Sequence, residues 1–164
     1  MAELIRLILS NVPAVMFCAA LVLAVSGRRG SFGERLLDLL LLLPVGVGSV
    51  WAGIFHVFFP QISAQSIGWQ VSPFQFEIGV ADLAIGLVAI YAFWSSLPFK
   101  AAVVAYTVLF FLGVAIGHVR EAVEAGNYAA NNFGPLLVVT IAQALLLPPL
   151  LWRVWQSRSA RPLQ

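Results

Sequence analysis

The chain has 164 residues, of which 61% are hydrophobic and 10% charged, and its formal net charge is +2. Ordinary soluble domains are about 45–50% apolar and about 25% charged, so this composition argues against a water-soluble fold. The basic residues are scattered among loops, so we expect no nucleic acid partner. Cys18 is the only cysteine, which excludes an intrachain disulfide and a cysteine-rich metal site.

Long apolar runs separated by short polar segments predict membrane-spanning helices. A helix needs about 20 mainly apolar residues to cross a hydrocarbon core of about 30 Å, and several runs reach that length. A transmembrane barrel would alternate polar and apolar residues, whereas residues 36–43 are almost entirely apolar. We therefore predict an all-α polytopic bundle, a single integral-membrane domain over residues 1–164, with spans at about 4–25, 36–59, 74–94, 101–118 and 134–155.

The distribution of Lys and Arg predicts how this bundle is oriented in the inner (plasma) membrane of a cell. Positive residues close to membrane spans are retained on the cytoplasmic side. One side of the predicted bundle holds only Arg6 and Arg120. The other side holds Arg28, Arg29, Arg35, Lys100, Arg153, Arg158 and Arg161. We therefore expect an external N-terminus, a cytoplasmic C-terminus and outer loops at residues 60–73 and 119–133, with the lipid bilayer as the surrounding partner.

Polar side chains concentrate in the outer half of the predicted bundle. His56 lies one turn inside the outer end of the second span, Glu77 one turn inside the third, and His118 at the outer end of the fourth. The outer loops add Gln61, Gln65, Gln75, Asn127, Asn131 and Asn132. A deeper group, at roughly 10–13 Å for a rise of about 1.5 Å per residue, consists of Asn11, Asp82, Thr140 and Gln143. These residues predict a polar funnel that leads toward mid-membrane.

Asp82 and Glu77 are candidate functional residues, because a carboxylate inside a membrane is costly unless it is paired, protonated or hydrated. Five residues at 100° each place the two about 140° apart around their helix, so they do not share one face. Structural interpretations remain open for both. Asp82 can be protonated and hydrogen-bonded to Gln143 or Asn11, and Glu77 can be an interfacial acid near a positive helix N-terminus.

His56, His118 and Glu77 are the candidate catalytic residues. They are also ligand types that zinc, iron or copper accept, so a transition metal is a candidate cofactor. Their spacing matches no metal motif, and interfacial histidines also serve as capping or hydrogen-bonding groups. The same side chains suit general acid–base catalysis on a lipophilic substrate. No glycine-rich phosphate loop, nucleophile elbow or HExxH motif supports ATP hydrolysis, serine-hydrolase or zincin chemistry.

The segment at residues 67–86 carries a distinctive pattern, Ile-Gly-Trp at its start, Ser-Pro-Phe-Gln-Phe-Glu at 72–77, and small residues after it. Further matching residues lie outside this segment, at Trp51, His56, Gly117, His118, Gly126, Asn127, Asn132 and Gly134. Together they resemble DUF6790, a family of small, functionally uncharacterised bacterial membrane proteins. The resemblance extends from the second predicted span to the fifth.

This resemblance implies that His56, Gln75, Glu77, His118 and Asn127 belong to one shared site, and it implies no particular activity. Asp82 departs from the pattern, where Asn is expected, so the resemblance implies no catalytic role for it. A looser similarity to DoxX-like four-helix membrane proteins concerns the fold alone. The predicted ligand-binding residues are Gln75, Asp82, Asn127, Asn132 and Trp69.

Three classes of function remain open at this point. The first is a site for a small molecule or metal at the outer face, with or without catalysis. The second is a small proton-coupled transporter that uses Asp82 or Glu77. The third is a structural or accessory subunit that tolerates isosteric changes such as Glu77→Gln. The GxxxG spacing of Gly113 and Gly117 suits either packing within the bundle or a homo-oligomer contact.

Overall fold

The computed structural model describes residues 10–28 and 30–160, and this part of the chain forms six helices and no β-strand. The helices are α1 (Val12–Ser26), α2 (Phe32–Phe58), α3 (Pro60–Ile67), α4 (Pro73–Ala92), α5 (Leu97–Ala125) and α6 (Pro135–Ser159). Helices α2, α4, α5 and α6 are long and apolar enough to cross a membrane, and α1 is a shorter apolar helix. The predicted all-α, membrane-spanning fold class is thus confirmed.

Local signals in the sequence explain where these helices begin and end. A capping box starts α2, because the Ser31 hydroxyl accepts from the Glu34 amide at 3.2 Å while the Glu34 carboxylate accepts from the Ser31 amide at 3.1 Å. Helices α3 to α6 each begin with a proline in the first or second position, where its missing N–H costs no helical bond. Left-handed glycines, Gly68 and Gly126, end α3 and α5.

Helix α2 lies at the centre of the molecule and packs against α1 and α4. Helix α5 packs against α4 and α6, while α6 contacts α2 mainly where α2 begins. The result is a four-helix arrangement of α2, α4, α5 and α6, with α1 against α2 and α6. We call the end of the bundle that carries α3 the α3 end, and the opposite end, where α2 and α5 begin, the ion-pair end. Because α6 leaves α2 toward the α3 end, space opens between α1, α2 and α6.

The middle of α2 departs from α-helical geometry. Residues Leu41–Val47 form a π-helical segment that contains Pro44. Proline lacks the N–H that an α-helix needs and clashes with the carbonyl of the preceding turn, and the wider π-turn accommodates it. This segment packs against α1 and α4, so the irregular backbone is enclosed by neighbouring helices.

Glycines bring α2 and α4 into close contact. A Cβ atom on Gly53 would lie 2.7 Å from the Gly79 carbonyl oxygen, and one on Gly86 would lie 2.7 Å from the Val50 nitrogen. A Cβ atom on Gly79 would lie 2.8 Å from the Cβ of His56. Such separations are shorter than non-bonded contacts allow, so any larger residue would force the helices apart. The packing of α2 on α4 therefore fixes the depth of His56.

Charged side chains tie the helices together at the ion-pair end. Lys100 of α5 donates to Asp38 of α2, and the Lys100 side chain is only 6% exposed while that of Asp38 is 27% exposed. Arg158 of α6 lies 2.9 Å from a carboxylate oxygen of Glu34. From the sequence, Lys100 is used only to predict orientation, so this ion pair is not predicted. The inside–outside orientation of the bundle stays a prediction.

The largest differences between the helices and the predicted spans lie at the α3 end. Residues 4–9 of the first predicted span lie outside the described residues. The predicted outer loop 60–73 contains the helix α3, and α5 continues to Ala125, beyond the predicted end of its span at His118. A methyl group added at Gly113 or Gly117 of α5 would have no other described atom within 4 Å, so these two glycines do not pack inside this bundle.

Candidate functional site

A cavity of about 540 Å³ lies at the α3 end, between α1, α2, α3 and the start of α6. Its wall is mainly apolar, with Trp51, Ala52 and Phe55 of α2 facing Leu136 of α6. The polar residues that line it are Ser10, Asn11, His56, Ser63, Ser66 and Asn131. The volume falls in the range of roughly 300–1,000 Å³ that small-molecule sites occupy.

His56 forms the boundary between this cavity and a smaller one. Its Nδ1 lies 3.0 Å from the hydroxyl of Ser63 on α3, and Ser63 is buried. The smaller cavity, of about 90 Å³, is lined by His56, Trp69 and Gln75 among others. The Gln75 amide donates to the Pro60 carbonyl at 2.8 Å and so ties α4 to the start of α3. Trp69 and Gln75, two further predicted site residues, therefore share this smaller cavity with His56.

The second histidine, His118, is held by Asn132. The Asn132 amide nitrogen donates to the carbonyls of His118 at 3.2 Å and of Asn127 at 2.8 Å. These two bonds fix the amide orientation, so its oxygen, 2.7 Å from His118 Nδ1, accepts a hydrogen bond from the N–H at that position. A neutral His118 then keeps Nε2 as an acceptor. Trp69 stacks on this ring, with ring centroids 5.6 Å apart.

Asn127 connects the two loops of the α3 end. Its amide nitrogen donates to the Ile67 carbonyl at 3.0 Å, at the last turn of α3. Its oxygen accepts from the Ala129 amide at 3.1 Å. Gly68 makes this contact feasible, because a Cβ atom there would lie 2.6 Å from the Asn127 side-chain oxygen. Asn127 and Asn132 thus support backbone structure, and their predicted role in ligand binding stays a prediction.

The two predicted acids lie apart from this group. Glu77 is exposed on α4, whereas Asp82 is buried, at 9% exposure. Gly79 contacts His56, and Asp82 lies one turn deeper on α4, about 4.5 Å at the helical rise. Asp82 makes no hydrogen bond or ion pair with another described residue. The suggested bond to Gln143 does not form, because the Gln143 amide donates to the Val139 carbonyl instead.

The structure does not assemble the predicted metal site. Among residues 10–28 and 30–160, no group of three or more His, Cys, Asp or Glu side chains is arranged to hold a metal ion. His56 and His118 are close enough to interact electrostatically, but they bond to Ser63 and Asn132 respectively. Glu77 is exposed on α4 and completes no set with them. These three side chains therefore form no such group in the described part of the chain, and a metal-binding role for them stays a prediction.

The residues that α3 contributes to the cavity were not predicted from the sequence. Ser63 and Ser66 fall within the predicted outer loop 60–73, and Asn131 belongs to the predicted polar funnel, but none of the three is among the predicted site residues. A signal for α3 was present, because Pro60 and Gly68 bracket a segment with the proline start and glycine end of a short helix. Nothing in the spacing, however, shows that this helix folds back over His56.

Comparisons with known proteins identify a family and nothing closer. The model of a family described as "Family of unknown function (DUF6790)" matches residues 5–160. No curated protein matches the chain. No solved structure matches it either.

Proposed function

We propose a function from the geometry of the structure, since the chain belongs to DUF6790, a family whose function is unknown. The protein binds a lipophilic small molecule in the cavity of about 540 Å³ at the α3 end. This cavity is the observation that carries the proposal. His56, supported by Ser63 and bordering both cavities, is the polar group that orients the ligand.

The composition of the wall supports a ligand that comes from the membrane. Trp51, Ala52, Phe55 and Leu136 offer apolar surface, and hydrophobic and aromatic walls with a few placed polar groups are typical of small-molecule sites. The cavity borders α2 and α6, which are long and apolar enough to cross a membrane, so a lipophilic molecule can reach it from the bilayer. We propose that the α3 end faces the outside of an inner membrane, as the distribution of Lys and Arg predicts.

A ligand that co-purifies with the protein tests this proposal. The protein is extracted in mild detergent, and bound small molecules are quantified by mass spectrometry for the wild type and for Ala52→Trp, which places an indole in the cavity. The matched control is Ala105→Trp, which adds the same side chain on the exposed face of α5. We expect one enriched species in the wild type and the control, and its loss in Ala52→Trp.

Two results would contradict the proposal. One is the absence of any species enriched over the detergent blank, and the other is undiminished binding in Ala52→Trp. Size-exclusion profiles and thermal midpoints of all three proteins establish that the comparison is made between folded molecules.

Asp82 favours a second candidate, proton-coupled transport of the same ligand. It is a buried carboxyl group within a spanning helix, without a partner among the described residues, and such groups mark proton relays in transporters. In proteoliposomes, a transporter would accumulate the co-purified ligand when a proton gradient is imposed. Asp82→Asn would abolish this accumulation while the cavity still binds the ligand. Uptake that is equal in the wild type and Asp82→Asn would remove this candidate.

A further inference from the structure

We infer that the cavity at the α3 end takes an uncharged lipophile whose head group forms hydrogen bonds, such as a long-chain alcohol or carbonyl compound, and rejects phosphate and quaternary ammonium heads. The inference rests on the proposed function and narrows its ligand class.

The wall of the cavity is uncharged over the part of the chain that the structure describes. The described residues that line the cavity include no Asp, Glu, Lys or Arg. Elsewhere at this end, Arg120 and Glu124 pair with each other at 2.7 Å on the exposed surface of α5. A charged head group would therefore lose its hydration beside these residues without gaining a counter-charge from them, which disfavours its binding.

The wall carries neutral polar groups that can form hydrogen bonds. Asn131 lines the cavity and its side chain makes no hydrogen bond to another described residue. A carboxamide both donates and accepts, so Asn131 matches an alcohol or a carbonyl equally well. The Ser66 hydroxyl donates a hydrogen bond to the Ser63 carbonyl at 2.8 Å, which leaves the hydroxyl oxygen of Ser66 as an acceptor. These groups offer hydrogen bonds to a head group and neutralise no charge.

The polar groups of the wall lie at two depths in the bundle. Gly48 of α2 packs against Pro13, so Ser10 and Asn11 lie near the level of Trp51. His56 lies on α2 more than one turn closer to α3 than Trp51 does. The wall is therefore polar at two levels with Ala52 and Phe55 between them. This pattern suits an apolar chain that carries hydrogen-bonding groups, rather than a single ionic head.

Three photoreactive probes with the same diazirine-bearing alkyl chain test the inference. They end in a hydroxyl, a phosphate or a trimethylammonium group, and each is added to the full-length protein in vesicles. We expect the hydroxyl probe to label the segment 51–67 saturably, and at least about ten-fold more than either charged probe, a difference of about 1.4 kcal/mol. Equal or stronger labelling of this segment by a charged probe would overturn the inference while leaving the proposed function intact.

A designed change of specificity makes the test independent of the native ligand. Asn131→Lys places a cation in the wall and should raise phosphate-probe labelling relative to the hydroxyl probe. Ala130→Lys adds the same charge on an exposed neighbouring residue and should leave the preference unchanged. An unchanged preference in a folded Asn131→Lys protein would count against the inference. If no probe labels the segment, or if Ala52→Trp leaves labelling intact, the proposed function fails and the inference fails with it.

Discussion

Hydrogen bonds from two asparagines hold the histidine-bearing end of the molecule together. Asn132 bonds to His118 and to Asn127, and Asn127 reaches across 60 residues of sequence to the last turn of α3. In a closely packed interior each such bond contributes about 1 kcal/mol, and an amide left without its partner costs more than that. The two side chains therefore stabilise the position of α3, which forms one wall of the cavity.

Gly68→Ala tests this contact against a matched control. Gly68 and Gly126 both have positive φ, at 79° and 63°, so alanine costs each about 1–2 kcal/mol of backbone strain. Only at Gly68 does the new methyl group meet the Asn127 oxygen, while nothing lies within 4 Å at Gly126. We expect Gly68→Ala to lower the thermal midpoint clearly more than Gly126→Ala. Equal losses would show that the Asn127 contact contributes nothing.

Most of the predicted site residues lie near one another at the α3 end, while their roles in a site stay predictions. Six of the eight predicted site residues form a chain of contacts at the α3 end, namely His56, Trp69, Gln75, His118, Asn127 and Asn132. Glu77 and Asp82 do not join them. Residue type alone could not separate amides that bond to backbone from amides that face the cavity, because that depends on how two distant loops meet.

At the scale of helices, the close contact of α2 with α4 depends on glycine. Gly53→Ala would place a methyl group 2.7 Å from the Gly79 oxygen, and overpacking of this kind costs about 1–3 kcal/mol. Gly113→Ala is the control, because its methyl group meets no described atom within 4 Å. We expect a lower unfolding midpoint in detergent for Gly53→Ala and an unchanged or higher one for Gly113→Ala. The reverse order would contradict the observed packing.

The Lys100–Asp38 pair makes a prediction about the ion-pair end. Removing the partner of a buried charge costs up to about 3–5 kcal/mol, because that charge is left in the interior without a counter-charge. Lys100 is the more buried partner, so Asp38→Asn should destabilise the protein more than Lys100→Met. The double variant Asp38→Leu/Lys100→Met should recover most of the loss, as measured by denaturant unfolding.

Glu124→Gln serves as the exposed control for this experiment. This change breaks the ion pair between Arg120 and Glu124, whose side chains are 71% and 61% exposed respectively. It should leave the stability of the protein unchanged. A double variant that is less stable than both single variants would contradict the account of the buried pair. Sequence reasoning could not find this pair, since its residues are 62 apart and their contact requires α2 and α5 to begin at the same end.

The apolar runs of the sequence predict that helices form, but they do not show where each helix begins and ends. Those boundaries depend on local capping residues, prolines and glycines. The capping box at Ser31 starts α2 four residues before the predicted span at 36, and α5, with a proline in its first turn, starts four residues before the predicted span at 101. Helix α5 continues to Ala125 because its polar last turns carry no stop signal before Gly126. The same punctuation turns part of a predicted loop into α3, which closes one side of the cavity.

The whole molecule combines a tightly packed ion-pair end with an open α3 end. Buried leucines such as Leu37, Leu40 and Leu147 fill the core near the ion-pair end. Toward the α3 end, α6 diverges from α2, and the cavity occupies the resulting space. The sequence predicted polar groups at this end but not the cavity, because a void depends on where helices diverge. A homo-oligomer contact through Gly113 and Gly117 stays a prediction.

The most direct test of the central claim is a high-resolution structure of the protein purified from its membrane into lipid nanodiscs. We expect elongated density inside the cavity at the α3 end, in contact with His56 and Asn131 and passing Ala52. We also expect this density to be absent from Ala52→Trp. A cavity that is closed by its own side chains, or that holds only ordered water, would contradict the claim that this protein binds a lipophilic molecule there.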